Sequence, residues 1–569
     1  MAQSDTLAQH LSYTPQPLKF GTSGRRGLVV DLTQLEIYTN VRAEIGYLQS
    51  LDLSQGGIQK GDDFYFAQDL RPSSTQYVEN NRGGLGQAVE QAIKDGGMRP
   101  INLGAIPTPA LTSFALNRGK GSIMVTGSHI PFDRNGYKLN TSKGELLKDN
   151  EKPIGVAVER TREQLNTQPF SESLFNEQGM LRNGAPSVSP AIDDGRTAYI
   201  QRYLDFFEGQ TLKGCKILAY QHSAVGRDVL VDILEKLGAE VTPAGRSETF
   251  VPIDTEAIDQ AQLDTIQGLC DATGQKSFDA IVSTDGDSDR PLLVAPEGAN
   301  NLRFFGGDIL GMVVADFLGA DSVVVPISSN DAIDRGPLAP VTEPKTKIGS
   351  PYVITGMQHA LTKGRTRVCG WEANGGFLTG SDIEVNNKTL TALPTRDAML
   401  PLLCALFAAR NRQLTLPQLF ATLPKRFSRA SLIRNFPRPT SLKIVQRFSP
   451  ANPAVQEVSF RDGQAAACDA NLTAVALDQA HAEHCGQIRA QLQTVFSAEA
   501  GFAPICKLNY TDGVRMSFEN GDVAHIRPSG NADELRIYSV ADTQERADTI
   551  ATHGVAEPNG LLRRLEAMV

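Results

Sequence analysis

Short apolar runs recur along the chain, and each ends abruptly in a polar, glycine-containing turn. Residues 123–125 stop at Thr126-Gly127-Ser128-His129, and residues 280–282 lead into Ser283-Thr284-Asp285-Gly286. The runs 64–67, 216–220 and 323–327 have the same build. Apolar runs of this length bounded by turn residues predict buried strands. Helix-length stretches lie between them: 73–94, stopped by Gly96-Gly97, and 226–237, stopped by Gly238. Such alternation predicts open α/β domains with ligands at the strand ends. The Ser/Asn/Gly-rich stretch 165–188 reads as a linker, Phe304-Phe305-Gly306-Gly307 opens a third unit, and 426–437 leads into the last. The Ala- and Gln-rich segment 463–500 reads as a helix inserted in that last unit.

Length adds that several domains, each with its own core, fit into 569 residues. A net charge of −9 without a basic run argues against nucleic acid or an anionic membrane as partner. Anionic substrates would then be drawn by a local positive cleft and not by the whole-molecule field. No stretch approaches the ~20 apolar residues of a membrane span, and the start Met1-Ala2-Gln3-Ser4-Asp5 lacks a signal-peptide profile. Seven dispersed cysteines without CxxC spacing predict reduced thiols, and with them a cytoplasmic protein. Walker A and Rossmann fingerprints are missing: Gly121 follows Gly119-Lys120, and Val89 stands where the third glycine is needed. His481 and His484 could share a metal, but a solvated helix face explains them without a third ligand.

Four loops carry chemistry. Ser128 stands at a strand end on an irregular loop, where a hydroxyl can act as a covalent phosphoryl carrier, with Lys138 as a nearby cation or proton-transfer group. Asp285, Asp287 and Asp289 alternate, so in a locally extended chain they point the same way, about 6–7 Å apart. Hard carboxylate oxygens on one face suit Mg²⁺, Mn²⁺ or Ca²⁺. An EF-hand is excluded, because Arg290 takes the glycine position and Pro296 the final glutamate position. Glu372 and Asn374 sit in a Gly-rich turn and can read neighbouring sugar hydroxyls; Trp371 beside them is a stacking surface or core packing. Arg527 and Arg536 flank Ser529-Gly530-Asn531, a turn whose free backbone N–H groups would form an anion nest.

These loops, in this order, resemble the α-D-phosphohexomutase superfamily. Lys19-Phe20-Gly21-Thr22-Ser23-Gly24-Arg25-Arg26-Gly27 is similar to its opening Gly-Thr-Ser-Gly-x-Arg, with Arg26 at the arginine position. Asp69-Leu70-Arg71-Pro72-Ser73-Ser74 and Thr346-Lys347-Ile348-Gly349 resemble two further family segments. The resemblance runs from about residue 18 to 540 and is nearest the bacterial phosphomannomutase branch. Three departures stand out: Ile130 after the Ser-His pair, Glu372-Ala373-Asn374-Gly375-Gly376 for Glu-x-Ser-Gly, and Asn531-Ala532-Asp533 for Thr-Glu-Pro.

The resemblance implies a four-domain architecture, with three similar mixed α/β domains and a C-terminal α+β phosphate-binding domain around a central cleft. The expected bounds are 1–187, 188–304, 305–432 and 433–569. It implies a mutase exchanging hexose 6-phosphate and hexose 1-phosphate, with mannose as the first choice and glucose or glucosamine as alternatives. A phosphoserine at Ser128 and a hexose 1,6-bisphosphate intermediate, also an activator, belong to that expectation. Mg²⁺ would bind Asp285, Asp287, Asp289 and the phosphoserine. Arg26 and Arg290 would serve the transferring group, and Lys138, His129 and Lys347 would move protons. Glu372 and Asn374 would read the sugar, while Arg527, Ser529, Gly530, Asn531 and Arg536 would hold the distal phosphate. A non-catalytic hexose-phosphate sensor and a phosphoserine-type phosphatase are the rival readings, and monomer and dimer both remain open.

Overall fold

The computed structural model describes residues 5–78, 82–182, 188–256, 258–275, 277–298, 301–461, 464–530 and 533–569. Two compact units result: Met1–Asp321 with Met357–Phe420, and Ser322–Gly356 with Ala421–Val569.

Three larger sheets and two short two-stranded ones lie in the first unit among the described residues. The first runs in the order Arg25–Leu28, Arg134–Thr141, Ser122–Val125, Asp63–Gln68, Arg99–Ala105. Asp63–Gln68 is parallel to Ser122–Val125 and Arg99–Ala105, whereas Arg134–Thr141 returns antiparallel after the Ser128 loop. That hairpin register sets Met124 opposite Lys138, so Lys138 lies near the strand end from which Ser128 departs. Helices Gln34–Ser50 and Leu85–Asp95 cover the sheet, burying Val41, Ile45, Val89 and Ile93 with Phe64, Phe66, Ile123 and Val125. Thr33 caps the first of these helices by accepting from the Glu36 N–H, satisfying a donor that helical bonding leaves open.

The second sheet orders Glu240–Arg246, Lys216–His222, Ala280–Thr284, Pro291–Pro296 and Leu302–Phe304. Its first three strands are parallel, and Pro291–Pro296 turns back antiparallel, so the acidic turn becomes the hairpin between Ala280–Thr284 and Pro291–Pro296. In the third sheet, Val368–Trp371, Phe377–Thr379 and Leu393–Asp397 are antiparallel. Trp371 is core packing: it is buried, stacks on Phe377 at 5.7 Å and donates from Nε1 to the Asp308 carbonyl.

The second unit carries an eight-stranded antiparallel sheet from Phe427–Arg434 to Ala474–Val475. Arg438–Arg447, Gln479–Val495, Gln544–Val555 and Leu561–Glu566 are among its helices, and its core gathers Phe436, Phe448, Leu492, Met516, Ile526 and Leu562. This is an α+β build, and alternate residues of Val514–Phe518 point into the core.

Four expectations need correction. Residues 73–94 are not one helix: Pro72–Thr75 is a single turn, and the longer helix starts only at Leu85. Gly84 at φ 64° adopts a left-handed conformation that breaks helical continuity. The stretch 165–188 is not a free linker over its described part, because Phe175 is fully buried against Tyr38. Segment 463–500 is not all helix; it pairs as Gln464–Cys468 and Ala474–Val475 before the helix Gln479–Val495 begins at the Asp478 cap. Finally, the acidic triad is not extended, since Ser288 at φ 58° folds it into a tight turn.

Candidate active site

Ser128 is 4% exposed and sits at φ 54°, a strained backbone for a serine that its surroundings must hold. Thr126 Oγ1 accepts from the Ser128 N–H at 2.7 Å and donates to Asp69 Oδ2 at 2.8 Å. The Gly127 N–H donates to the same carboxylate. Arg71, itself buried, donates to the carbonyls of Ser128, Ile130, Pro131 and Arg134, so one guanidinium gathers the whole loop. The Phe250 ring lies over that guanidinium at 3.8 Å. A side chain on Gly127 would place its Cβ 2.5 Å from Arg71 Nε, so this crossing requires glycine. The Asp69–Ser74 segment resembles a family motif as sequence, but that resemblance does not reveal Arg71 as a loop clamp.

The Ser128 hydroxyl donates to Asp285 Oδ2 at 2.9 Å, and His129 Nδ1 is 3.4 Å from Ser128 Oγ. Asp285, Asp287 and Asp289 are all buried, and one oxygen of each lies within 4.8 Å of the others. Asp285 Oδ1 accepts from the backbone N–H groups of Asp289 and Arg290, closing the turn. Thr108 donates to Asp287 Oδ2 at 2.6 Å. Lys138 Nζ donates to Asp287 Oδ2 at 2.7 Å and to Asp289 Oδ2. The Arg290 guanidinium lies 3.7 Å from Asp289 and 3.9 Å from Asp285. Arg26 donates to the carbonyls of Arg25 and Tyr137 at the rim of the first sheet.

Burial and the two neighbouring carboxylates push the Asp285 carboxyl well above its ordinary range. Burial alone would raise Asp287 too, but the Lys138 ammonium overrides it and holds Asp287 below the ordinary range. Burial opposes the charge on Lys138, and Asp287 and Asp289 outweigh it, raising the lysine. Burial pulls Arg26 down to about 10. Burial, reinforced by Arg290, pulls His129 down to about 3, so its imidazole is neutral near pH 7.

The carboxylate turn fits a hard divalent cation. Asp287 Oδ1 and Asp289 Oδ1 are buried with no hydrogen-bond partner among the described residues. Orphaned anionic oxygens in a buried site are costly unless a cation takes them. The donors are all oxygen, as Mg²⁺ prefers.

Glu372 and Asn374 are buried, at 3% and 7% exposure. Glu372 Oε2 accepts from Arg396 Nε at 2.6 Å, and Arg396 Nη1 reaches Asp289 Oδ2 at 3.3 Å. Asn374 Oδ1 accepts from the Gly376 N–H, and its carbonyl accepts from Thr255. Sequence reasoning missed Arg396 and Thr108. Neither lies in a motif, and only the Gly375-Gly376 pair hinted that something must pass close to that turn.

In the second unit, Arg527 and Arg536 are cross-strand partners. Arg527 Nε lies 3.1 Å from Asp512 Oδ2, and Arg536 donates to Glu534 at 2.8 Å. The Ser529 N–H is not free, as the nest reading expected; it donates to the Glu534 carbonyl at 3.0 Å. Gly530 continues that turn, and Asn531 lies outside the described residues. Lys347 is exposed, 5.9 Å from the Tyr352 ring centroid, while the neighbouring Ile348 N–H donates to Asp512 Oδ2. Asp512 therefore ties the 346–349 loop to Arg527. His481, which could have shared a metal with His484, instead pairs with the helix-capping Asp478.

A serine hydroxyl held against a buried carboxylate turn, on α/β sheets, is a layout suited to phosphoryl chemistry. Family models described as phosphoglucomutase/phosphomannomutase α/β/α domains I, II and III match residues 17–165, 197–298 and 306–427. The chain belongs to this phosphohexomutase family: it is an isomerase of the phosphomutase type that acts on hexose phosphates. A phosphomannomutase of Sinorhizobium fredii is 36% identical over 541 residues, spanning 95% of this chain and 98% of that protein. A phosphomannomutase of Salmonella muenchen is 35% identical over 537 residues, 94% of each. In fold, the chain is similar to a crystal structure of a phosphoglucomutase/phosphomannomutase family protein from Burkholderia thailandensis. The TM-score is 0.60 at 15% identity, covering 96% of this chain and 99% of that one. No described helix is long and apolar enough to cross a membrane.

Proposed function

We propose that this chain exchanges mannose 6-phosphate and mannose 1-phosphate by way of a phosphoserine at Ser128. The observation that carries the reading is the 2.9 Å bond from the Ser128 hydroxyl to Asp285, within a carboxylate turn that has two orphaned oxygens. The choice of mannose rests on the two phosphomannomutase relatives, each matched over at least 94% of its length.

In the forward step a sugar hydroxyl attacks the phosphorus on Ser128. The new P–O bond forms as the P–Oγ bond breaks, and the hydroxyl proton passes to a base. With that proton delivered to the departing Oγ, this yields hexose 1,6-bisphosphate and the free serine. The bisphosphate turns around and returns its other phosphoryl group to Ser128 Oγ, leaving the isomeric monophosphate. Mg²⁺ held by Asp285, Asp287 and Asp289 would withdraw charge from the transferring group.

The chain supplies the remaining roles. Arg71 and Asp69 fix the Ser128 loop, so the nucleophile costs little reorganisation. Arg26 and Arg290 face the charge that develops on the phosphoryl oxygens. His129 is neutral and beside Ser128 Oγ, which suits it to orient that oxygen by a hydrogen bond, although a ring held this low takes a proton poorly; Lys138 serves as a fixed cation on Asp287 and Asp289. Glu372 and Asn374 would read hydroxyls, Lys347 would sit beside the sugar phosphate, and Arg527, Ser529, Gly530, Asn531 and Arg536 would hold the phosphate that is not reacting. Exogenous hexose 1,6-bisphosphate would act as activator by phosphorylating free Ser128.

Intact-mass measurement tests the reading. Treatment with hexose 1,6-bisphosphate should add one phosphoryl group to the wild type and none to Ser128→Ala, which should lose nearly all turnover. Equal labelling of both proteins would end the covalent-carrier reading. In a coupled assay, release of inorganic phosphate would mark a phosphatase, and binding without turnover a sensor.

A further inference from the structure

Arg396 belongs to none of the loops assigned above, yet it touches two of them. It lies on the strand Leu393–Asp397 and is 3% exposed. Nε donates to Glu372 Oε2 at 2.6 Å and Nη1 to Asp289 Oδ2 at 3.3 Å. One planar fork therefore joins the carboxylate of the Gly-rich turn to a carboxylate of the acidic turn. Its base is held on both sides: Thr395 donates to Glu145 at 2.6 Å, and Asp397 accepts from Tyr199 at 2.6 Å and from Tyr203. The opposite turn makes room for it. A Cβ on Gly376 would lie 2.5 Å from Arg396 Cδ and 2.7 Å from Cγ, so the second glycine of Glu372-Ala373-Asn374-Gly375-Gly376 clears the arginine stem.

We propose that Arg396 is a positioning residue that couples sugar recognition to the cation site, with Gly376 as its steric partner. The proposal rests on the reading above, in which Glu372 reads the sugar and Asp285, Asp287 and Asp289 hold the cation. Arg396 holds one oxygen of Glu372 and aims the carboxylate. The same guanidinium spends positive charge on Asp289, in competition with a bound cation. The two effects have opposite signs, and that separates positioning from a merely structural role. Losing Arg396 should loosen sugar recognition while strengthening cation binding, because a neighbouring positive charge disappears. A collapsed site would lose both.

The test uses the full chain, chelator-treated, with Mn²⁺ titrated by calorimetry and kcat/KM measured on mannose 1-phosphate and glucose 1-phosphate. Arg396→Gln should bind Mn²⁺ about tenfold tighter. KM should rise about tenfold, and the preference between the two sugars should fall towards unity. Arg396→Lys keeps the charge without the fork, so it should restore wild-type Mn²⁺ affinity and leave discrimination impaired. Gly376→Ala, which displaces the stem, should impair discrimination with the arginine still present. Weakening of Mn²⁺ and sugar together in Arg396→Gln and Arg396→Lys, or no change in either, would overturn the proposal. Asp287→Ala separates this from failure of the underlying reading. If wild type and Asp287→Ala bind Mn²⁺ equally, the cation site itself is wrong, and the coupling falls with it.

Discussion

The Ser128–Asp285 centre and the Arg527–Arg536 turn both present cations beside carboxylates, but they are built differently. At the first, Ser128, Lys138 and the three aspartates are all buried, and backbone and side chains over-determine every position. At the second, the two arginines are cross-strand neighbours on a sheet, partly exposed, each resting on one nearby carboxylate, Asp512 or Glu534. Burial makes electrostatics strong and reorganisation costly, which suits a centre where charge moves during reaction. In the function proposed above, such a partly exposed arginine would exchange Asp512 or Glu534 for a phosphate that is gripped and then released.

Removing Asp287 should break the contrast most severely. Asp287→Ala deletes a candidate cation ligand and leaves Lys138 on Asp289 alone. A kcat loss of about 10³-fold or more is expected in a variant that still folds; full activity in chelator-treated buffer would refute the assignment. Next in size is Gly127→Ala, whose methyl must displace Arg71 from the loop carbonyls. We expect about 1–3 kcal/mol of destabilisation and a kcat loss on the order of 10²-fold, read by thermal melting and steady-state kinetics. An unchanged kcat would show that the loop tolerates movement and that its over-determination is not functional.

Arg527→Ala should act on binding alone. Losing one charge-assisted contact raises KM by about 10- to 100-fold, with kcat within about threefold. A large kcat loss at unchanged KM would instead place Arg527 at the reacting centre.

The smallest effect concerns acid. His525 is buried, donates from Nε2 to the Asp512 carbonyl and has Arg515, Asp512 and Arg527 around it. Burial pulls it down to about 4 from 6.5. A depressed folded-state value means the folded form resists protonation. The stability it contributes is therefore present above about pH 6.5 and is lost as pH falls towards 4. Thermal melts at pH 7 and pH 5 should show a smaller acid-induced drop in His525→Asn than in wild type. Equal drops would assign the acid sensitivity elsewhere, half-buried His129 and buried His222 being the other histidines held low.

Local order along the chain carried much of the result. Apolar runs broken by glycine-rich turns marked the strands that end at Ser128, Asp285 and Glu372, because burial and backbone freedom are written into residue type. The alternation at Asp285, Asp287 and Asp289 identified an acidic site, although its shape was misread: a left-handed Ser288 is not visible in composition. Strand pairing within 464–475 was missed for a related reason, since Ala-rich runs suit either state until a neighbouring strand selects one. The roles of Arg71, Thr108 and Arg396 could be found only in three dimensions. Arg71 reaches loop carbonyls 57–63 positions away, Thr108 meets Asp287 across 179, and Arg396 meets Asp289 across 107. Such contacts depend on which strand ends the sheets bring together, and that is settled by packing of whole elements and not by any short stretch of sequence.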